Sequence, residues 1–325
     1  MNPVSYSIGV DLGGTNLRIA AVSPEGKIVE KIALETEVKE GRERVLNDMC
    51  SAIGELRRRM GGAPLSGIGI GVPGVINLET GMVFNSPNLP GWNDFPVRDE
   101  IERRLETRVF LENDANAAAL GEKWVGAGKN VRGLCMLTLG TGIGGGLILD
   151  GHVWHGQVGM GAELGHMTID PNGQLCACGN LGCIEAYASA SAVLRMALAA
   201  IRVGRSAALM AAADEVGELT AEIVYIKARE GDRVAREIFE MVGRSLGVAL
   251  SSLINIFNLP LYVLGGGMAR GWDAFAPSLL AEVEKRSVVY RASSTRIERS
   301  ALDTDAGLLG AAYLPVQAHN IARSA

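Results

Sequence analysis

His166, Cys176, Cys178 and Cys183 stand at the spacing His-x9-Cys-x-Cys-x4-Cys. Three thiolates and an imidazole suit tetrahedral zinc with no open position, so a metal held here is expected to be structural. Three of the five cysteines fall within eight residues, and an odd total argues against a disulfide framework. Zinc on one nitrogen of His166 fixes the ring and leaves the other nitrogen to face a ligand. Glu163 lies three residues before that histidine and Glu185 two after the last cysteine, so the same knot places both carboxylates. Carboxylates pair well with hydroxyl donors, because charge-assisted hydrogen bonds are worth about 1.5–3 kcal/mol each. Cys50 and Cys135 stand alone in apolar patterns and read as small core residues.

A second chemical group is Asp114, in Asn113-Asp114-Ala115-Asn116. Residues 108–112 read as a short strand, and the pattern after Asp114 is helical. A carboxylate there faces the cleft at a strand's carboxyl end, where open α/β sheets place their ligands. It reads as a catalytic base that takes a proton from a hydroxyl. The competing reading is that Asp114 caps the following helix.

Three glycine-rich turns could bring a phosphoryl group to that base. Asp11-Leu12-Gly13-Gly14-Thr15-Asn16, the run from Gly140-Thr141-Gly142 to Gly146, and Gly265-Gly266-Gly267 each follow a short apolar strand. Glycines let backbone N–H groups approach a phosphate closely. Asp11, at the base of the first turn, could hold a magnesium ion through water. Asn88 sits in a loop with Pro87 and Pro90, which lower the entropy cost of holding it, and could bond a sugar hydroxyl. Pro73-Gly74 turns at the carboxyl end of another apolar strand.

These groups need two positioning lobes. The 325 residues suggest two domains, and 48% hydrophobic content is ample for their cores. Strands at 7–11, 17–22 and 27–34, joined by short turns, predict an antiparallel meander. A strand, a Gly-Thr loop over 140–146, a strand at 147–149 and a glycine turn repeat that layout, which predicts two related lobes. Helices are expected over 43–60, 96–105, 191–209, 221–230 and 234–257, with a last apolar helix reaching residue 314. The glycine-rich segment 157–162 is expected to be mobile. His152, His155 and His319 show no convincing partners and receive no role. Residues 245–269 carry no charge, but their serines, asparagines and four glycines read as buried helix, turn and strand instead of a membrane span. A net charge of −5 without a basic block excludes a nucleic-acid partner, and no signal pattern opens the chain, so a soluble cytoplasmic protein is expected.

With these motifs in place the sequence resembles the ROK family of bacterial sugar kinases (repressors, open reading frames, kinases), within the actin-like ATPase superfamily. The first two glycine turns look like that family's phosphate loops. Gly265-Gly266-Gly267 is similar to its adenosine motif, and Glu112-Asn113-Asp114-Ala115-Asn116 to its catalytic segment. Asn88-Leu89-Pro90-Gly91-Trp92 and Gly182-Cys183-Ile184-Glu185 look like its glucokinase branch. The resemblance implies a two-lobed actin-like ATPase (ribonuclease H-like) α/β fold with an inserted structural zinc loop at 166–183. It places the smaller lobe at 1–117 plus 305–325 and the larger at 118–304. It also implies a homodimer or homotetramer.

The expected reaction moves the γ-phosphoryl group of ATP, with Mg²⁺, to the 6-hydroxyl of a hexose, glucose first among them. The hexose lies between the lobes, held by Gly74, Asn88, Asn113, Glu163, His166 and Glu185, with Asp114 as base. Asp11, Gly13, Gly14, Thr15, Asn16, Thr141, Gly142 and Gly265 to Gly267 serve the nucleotide. The rival substrate is an N-acetylhexosamine, N-acetylmannosamine or N-acetylglucosamine. A sugar-responsive repressor of the same family would need a DNA-binding domain of about 60–80 residues before the first phosphate loop. That loop begins here at Asp11.

Overall fold

The computed structural model describes residues 5–86 and 88–324. Pro87, one of the two prolines expected to stiffen the Asn88 loop, lies outside them. In chain order the elements begin β1 (Tyr6–Leu12), β2 (Asn16–Val22), β3 (Ile28–Glu35), α1 (Arg42–Arg59), β4 (Leu65–Val72), β5 (Val75–Asn77) and β6 (Met82–Asn85). There follow α2 (Val97–Leu105), β7 (Val109–Asn113), α3 (Asp114–Val125), β8 (Leu134–Leu139), β9 (Ile143–Leu149) and β10 (His152–Val153). Helices α4 (Glu185–Ala188), α5 (Ala190–Arg202), α6 (Ala207–Val216), α7 (Ala221–Glu230) and α8 (Arg233–Phe257) precede β11 (Leu261–Gly265). The chain continues through α9 (Trp272–Arg286), α10 (Val288–Ala292), β12 (Arg296–Arg299) and α11 (Ala306–Ser324).

One five-stranded sheet has the order β3-β2-β1-β4-β7 and another the order β10-β9-β8-β11-β12. In the first, β1, β2 and β3 form the expected antiparallel meander, and β4 and β7 join in parallel. The second has the same plan, three consecutive strands and then two later ones, as the repeated strand–glycine–strand layout implied.

Packing divides the chain into two compact units. One comprises Met1–Met136, Gly146–Ala162 and Ala301–Ala325, the other Leu137–Gly145 and Glu163–Ser300.

The first unit follows from period-2 patterning. Along β4, Ile68, Ile70 and Val72 point to the core cluster that also holds Ile8, Val10 and the α1 residues Val45, Met49, Ile53 and Leu56. The alternate residues are glycines, because helices α11 and α3 press on that face. A Cβ on Gly69 would lie 1.8 Å from the Ala311 carbonyl oxygen, and one on Gly310 of α11 would lie 1.6 Å from that of Ala117 in α3. Without side chains at these points, β4, α11 and α3 approach backbone to backbone.

In the second unit α8 is amphipathic over 25 residues and packs on α9. The uncharged run 245–269 is the end of α8, a left-handed turn residue at Asn258, and the buried strand β11. Among the described residues no single helix is long and apolar enough to cross a membrane.

Three expected boundaries are corrected. The segment Ile143 to Gly146 is strand, not loop, so the second glycine turn is short. The expected helix over 191–209 breaks after Arg202, where Gly204 takes φ +68° and Ser206 caps α6 by accepting the Leu209 N–H at 3.0 Å. The last helix passes residue 314 and carries Pro315 inside it.

Candidate active site

Helix α3 starts at Asp114, but its cap is Asn113. The Asn113 Oδ1 accepts the N–H groups of Ala115 at 2.9 Å and Asn116 at 3.1 Å. The capping role weighed for Asp114 therefore belongs to its neighbour. Asp114 Oδ1 accepts the Ala115 N–H at 2.9 Å, and its charge lies at the positive end of the helix. The end of β4 backs it, since a Cβ on Gly71 would touch the Asp114 Cα at 3.6 Å. Asn113 Nδ2 donates to the Gly74 carbonyl at 3.2 Å, so two of the expected sugar residues are bonded to each other.

The turn at Gly74 also anchors the Asn88 loop, because the Ser86 hydroxyl donates to the Pro73 carbonyl at 2.7 Å. Leu89 and Trp92 are buried and hold the loop down, while Asn88 is exposed. Trp92 is thus a core residue, packed edge-on to Phe95. The first glycine loop touches the same place, since a Cβ on Gly14 would lie 2.9 Å from the Asn88 carbonyl oxygen.

That loop is closed by Gly13 N–H to the Asn16 carbonyl at 2.9 Å and by the Thr36 hydroxyl to the Gly13 carbonyl at 2.8 Å. Thr15 and Asn16 are exposed at its tip. Asp11 pairs across β1–β2 with Arg18, Nη1 to Oδ2 at 3.1 Å. Burial raises the Asp11 pKa and the Arg18 charge opposes that rise. One carboxylate oxygen is therefore spent on a cation already present, which fits magnesium reached through water better than direct ligation.

Glu112, the residue before Asn113, was given no separate role by the sequence pattern. Its carboxylate is buried and bonds His155, the Asn113 N–H and the Asn116 side chain. His155 thus has a partner where none was expected. So does His319, whose Nδ1 bonds the Pro315 carbonyl oxygen at 2.7 Å. For His155 the two residues lie 43 positions apart, and no local pattern connects them.

The second unit holds the other candidates. Gly140 N–H donates to the Gly142 carbonyl at 2.9 Å, and the start of α5 fixes the loop. There Ala190 N–H donates to the Gly140 carbonyl and the Ser191 hydroxyl to that of Thr141, both at 2.8 Å. In the third glycine run, a Cβ on Gly266 would lie 2.5 Å from the Leu139 carbonyl oxygen at the end of β8. The Glu163–His166 turn lies against the start of β9, for a Cβ on Gly165 would come within 2.0 Å of the Ile143 carbonyl oxygen. Glu163 is exposed. Glu185 Oε2 accepts the Ile143 N–H at 2.8 Å, and Oε1 lies 3.7 Å from the Cys176 sulfur.

The donor atoms of His166, Cys176, Cys178 and Cys183 all lie within 4.8 Å of one another. Zn–S bonds of about 2.3 Å at tetrahedral angles put two sulfurs about 3.8 Å apart. The Cys178–Cys183 sulfur separation is 3.7 Å, and Cys176 Sγ lies 3.8 Å from His166 Nδ1. The set can hold one metal ion, with Nδ1 as the histidine ligand.

Comparison with known proteins bears on the family and the fold. The ROK family profile matches residues 7–318. The glucokinase of Thermotoga maritima is 40% identical over 307 residues, covering 94% of this chain and 96% of that protein. The xylose repressor of Caldicellulosiruptor bescii is 32% identical over 309 residues, covering 94% of this chain and 77% of that protein. The crystal structure of a ROK family glucokinase from Streptomyces griseus, in complex with glucose and AMPPNP, is 32% identical. It covers 96% of this chain and 99% of its own at a TM-score of 0.83, the same mixed α/β fold with two sheets. The family match spans nearly the whole length, and the chain belongs to the ROK family.

Proposed function

We propose that this protein is an ATP-dependent hexose kinase, a transferase that moves the γ-phosphoryl group to the 6-hydroxyl of glucose. The observation that carries the reading is Asp114 at the first position of α3, with Asn113 doing the capping and a glycine loop beside Asn88. The 40% identity to a glucokinase over nearly the full length supports glucose ahead of an N-acetylhexosamine.

Asp114 accepts the proton as the 6-hydroxyl oxygen attacks the γ-phosphorus, help worth about 10²–10⁴-fold. Backbone N–H groups of the Gly13-Gly14 and Thr141-Gly142 turns bind phosphate oxygens, and the Gly265–Gly267 run receives the adenosine. Asp11 would hold, through water, the Mg²⁺ that accompanies ATP, and that ion would supply charge neutralisation at the phosphates. Gly74, Asn88, Asn113, Glu163, His166 and Glu185 hold the sugar. His166, Cys176, Cys178 and Cys183 would hold a structural zinc, which would fix the segment between Glu163 and Glu185. Closure of lobes 1–117 with 305–325 and 118–304 excludes water as a competing acceptor. A cytoplasmic homodimer or homotetramer completes the reading, in keeping with cysteines kept free for metal.

A coupled ADP-release assay tests it, with glucose, mannose, xylose, N-acetylglucosamine and N-acetylmannosamine as acceptors and ATP or polyphosphate as donor. ATP with glucose is expected to give the highest kcat/KM. Release of ADP with none of the sugars overturns the kinase reading, and a higher kcat/KM for an N-acetylhexosamine overturns the choice of sugar.

A further inference from the structure

The Glu112 side chain is 4% exposed, and a carboxylate that deep must be matched by donors. Its Oε1 accepts the Asn113 N–H at 3.0 Å and the Asn116 Nδ2 at 3.2 Å, and its Oε2 bonds His155 Nε2 at 2.7 Å. The first two donors flank Asp114 in sequence, one on the cap and one in the first turn of α3. The third comes from the loop after β10. One buried carboxylate thus joins the strand end, the helix start and that loop.

We infer that His155 is a positioning residue for phosphoryl transfer, fixing through Glu112 the β7–α3 junction that presents Asp114. The inference rests on the reading of Asp114 as the base. Without the imidazole, Oε2 is left buried and short of its donor, and a buried acceptor in that state is destabilising. The Glu112 carboxylate relieves this by turning toward water or by taking up a proton. Either change disturbs the bonds to Asn113 and Asn116, which hold Asp114 from both sides. Misplacing a reacting group by about 1 Å can cost on the order of 10²-fold in rate.

The test is a double-mutant cycle on the full chain, with His155→Ala, Asp114→Asn and their combination. His155→Ala is expected to lower kcat about 10- to 100-fold while KM for glucose and for ATP stays within about threefold. His155→Gln, which keeps a donor able to reach Oε2, recovers most of the loss. The double variant is no slower than Asp114→Asn alone, because His155 acts only through that aspartate. The positioning role is overturned if His155→Ala keeps more than half of wild-type kcat while Asp114→Asn is impaired. It is equally overturned if the two losses multiply in the double variant. An active Asp114→Asn protein would instead refute the base assignment itself, so the two failures are told apart. Thermal melting accompanies each variant. If His155→Ala melts below the assay temperature, the cycle is run with His155→Asn, which is too short to reach Oε2, and the same outcomes decide.

Discussion

Glu185 Oε2 accepts the backbone N–H of Ile143 at 2.8 Å, so the glutamate just after the last cysteine is bonded to the first residue of β9. Gly142, proposed above to serve the nucleotide, lies against the same carboxylate, 2.3 Å from it for an added Cβ. The other oxygen, Oε1, has the Cys176 thiol as a donor at 3.7 Å. A zinc-bound thiolate would have no hydrogen to give, so under the proposed function metal binding would leave Oε1 to accept from a sugar hydroxyl.

This double duty separates two substitutions. Glu185→Gln keeps a carbonyl oxygen for Ile143 and loses the charge, so it is expected to weaken glucose by about tenfold or more while leaving an ATP analogue within about threefold. Glu185→Ala also loses the loop contact and is expected to weaken both ligands. Isothermal titration with glucose and with AMPPNP measures this. Equal weakening of both ligands by Glu185→Gln would count against the sugar contact.

The metal prediction concerns Cys178→Ser. One zinc per chain is expected in the wild type and none in the variant. All four ligands lie within one segment from His166 to Cys183, so much of a zinc affinity of about 10–16 kcal/mol should appear as local order. Sugar phosphorylation is lost, most helicity remains and AMPPNP still binds. Metal analysis, circular dichroism and the ADP-release assay check it. A zinc-free, fully active variant would show that the cysteines do not organise the sugar residues.

The pH prediction follows from His155. Its hydrogen bond to the Glu112 carboxylate raises the imidazole pKa above the usual histidine value, against the opposing effect of burial. A pKa raised on folding contributes stability that is complete below the unfolded value of about 6.5 and is lost as pH rises through the folded value. The wild type should therefore lose melting temperature across that window more steeply than His155→Gln. Parallel curves for the two proteins from pH 6 to 9 would contradict the pairing.

Packing between α3 and α11 gives a stability prediction. Gly310→Ala places a methyl where the Ala117 carbonyl oxygen already lies, and the two helices must separate. Overpacking of this kind costs about 1–3 kcal/mol, read as a lower urea midpoint. An unchanged midpoint would mean that the helices are free to shift.

Much of this was legible along the chain. Apolar runs ending in glycines mark β1, β8 and β11, and cysteine spacing alone brings out a four-donor set whose atoms do converge. The three glycines of β9 read as loop because glycine disfavours strands. Packing overrides that preference at Gly146, where a Cβ would lie 2.7 Å from the Ala115 carbonyl oxygen. The break between α5 and α6 did carry a local signal, Gly204 followed by the capping Ser206. Asn113 and Asp114 are both good capping types, and only the geometry assigns the cap to Asn113. The Glu112–His155 bond belongs to tertiary structure and has no trace in local pattern.

Whether Asp114 is the base of a glucose-phosphorylating site is decided by the kcat of Asp114→Asn. The fold and glucose binding, followed by circular dichroism and titration, should persist. With glucose and ATP saturating, kcat is predicted to fall by at least about 10²-fold. An Asp114→Asn protein that keeps more than half of wild-type kcat would contradict the claim and leave Asp114 as a helix-terminal residue only.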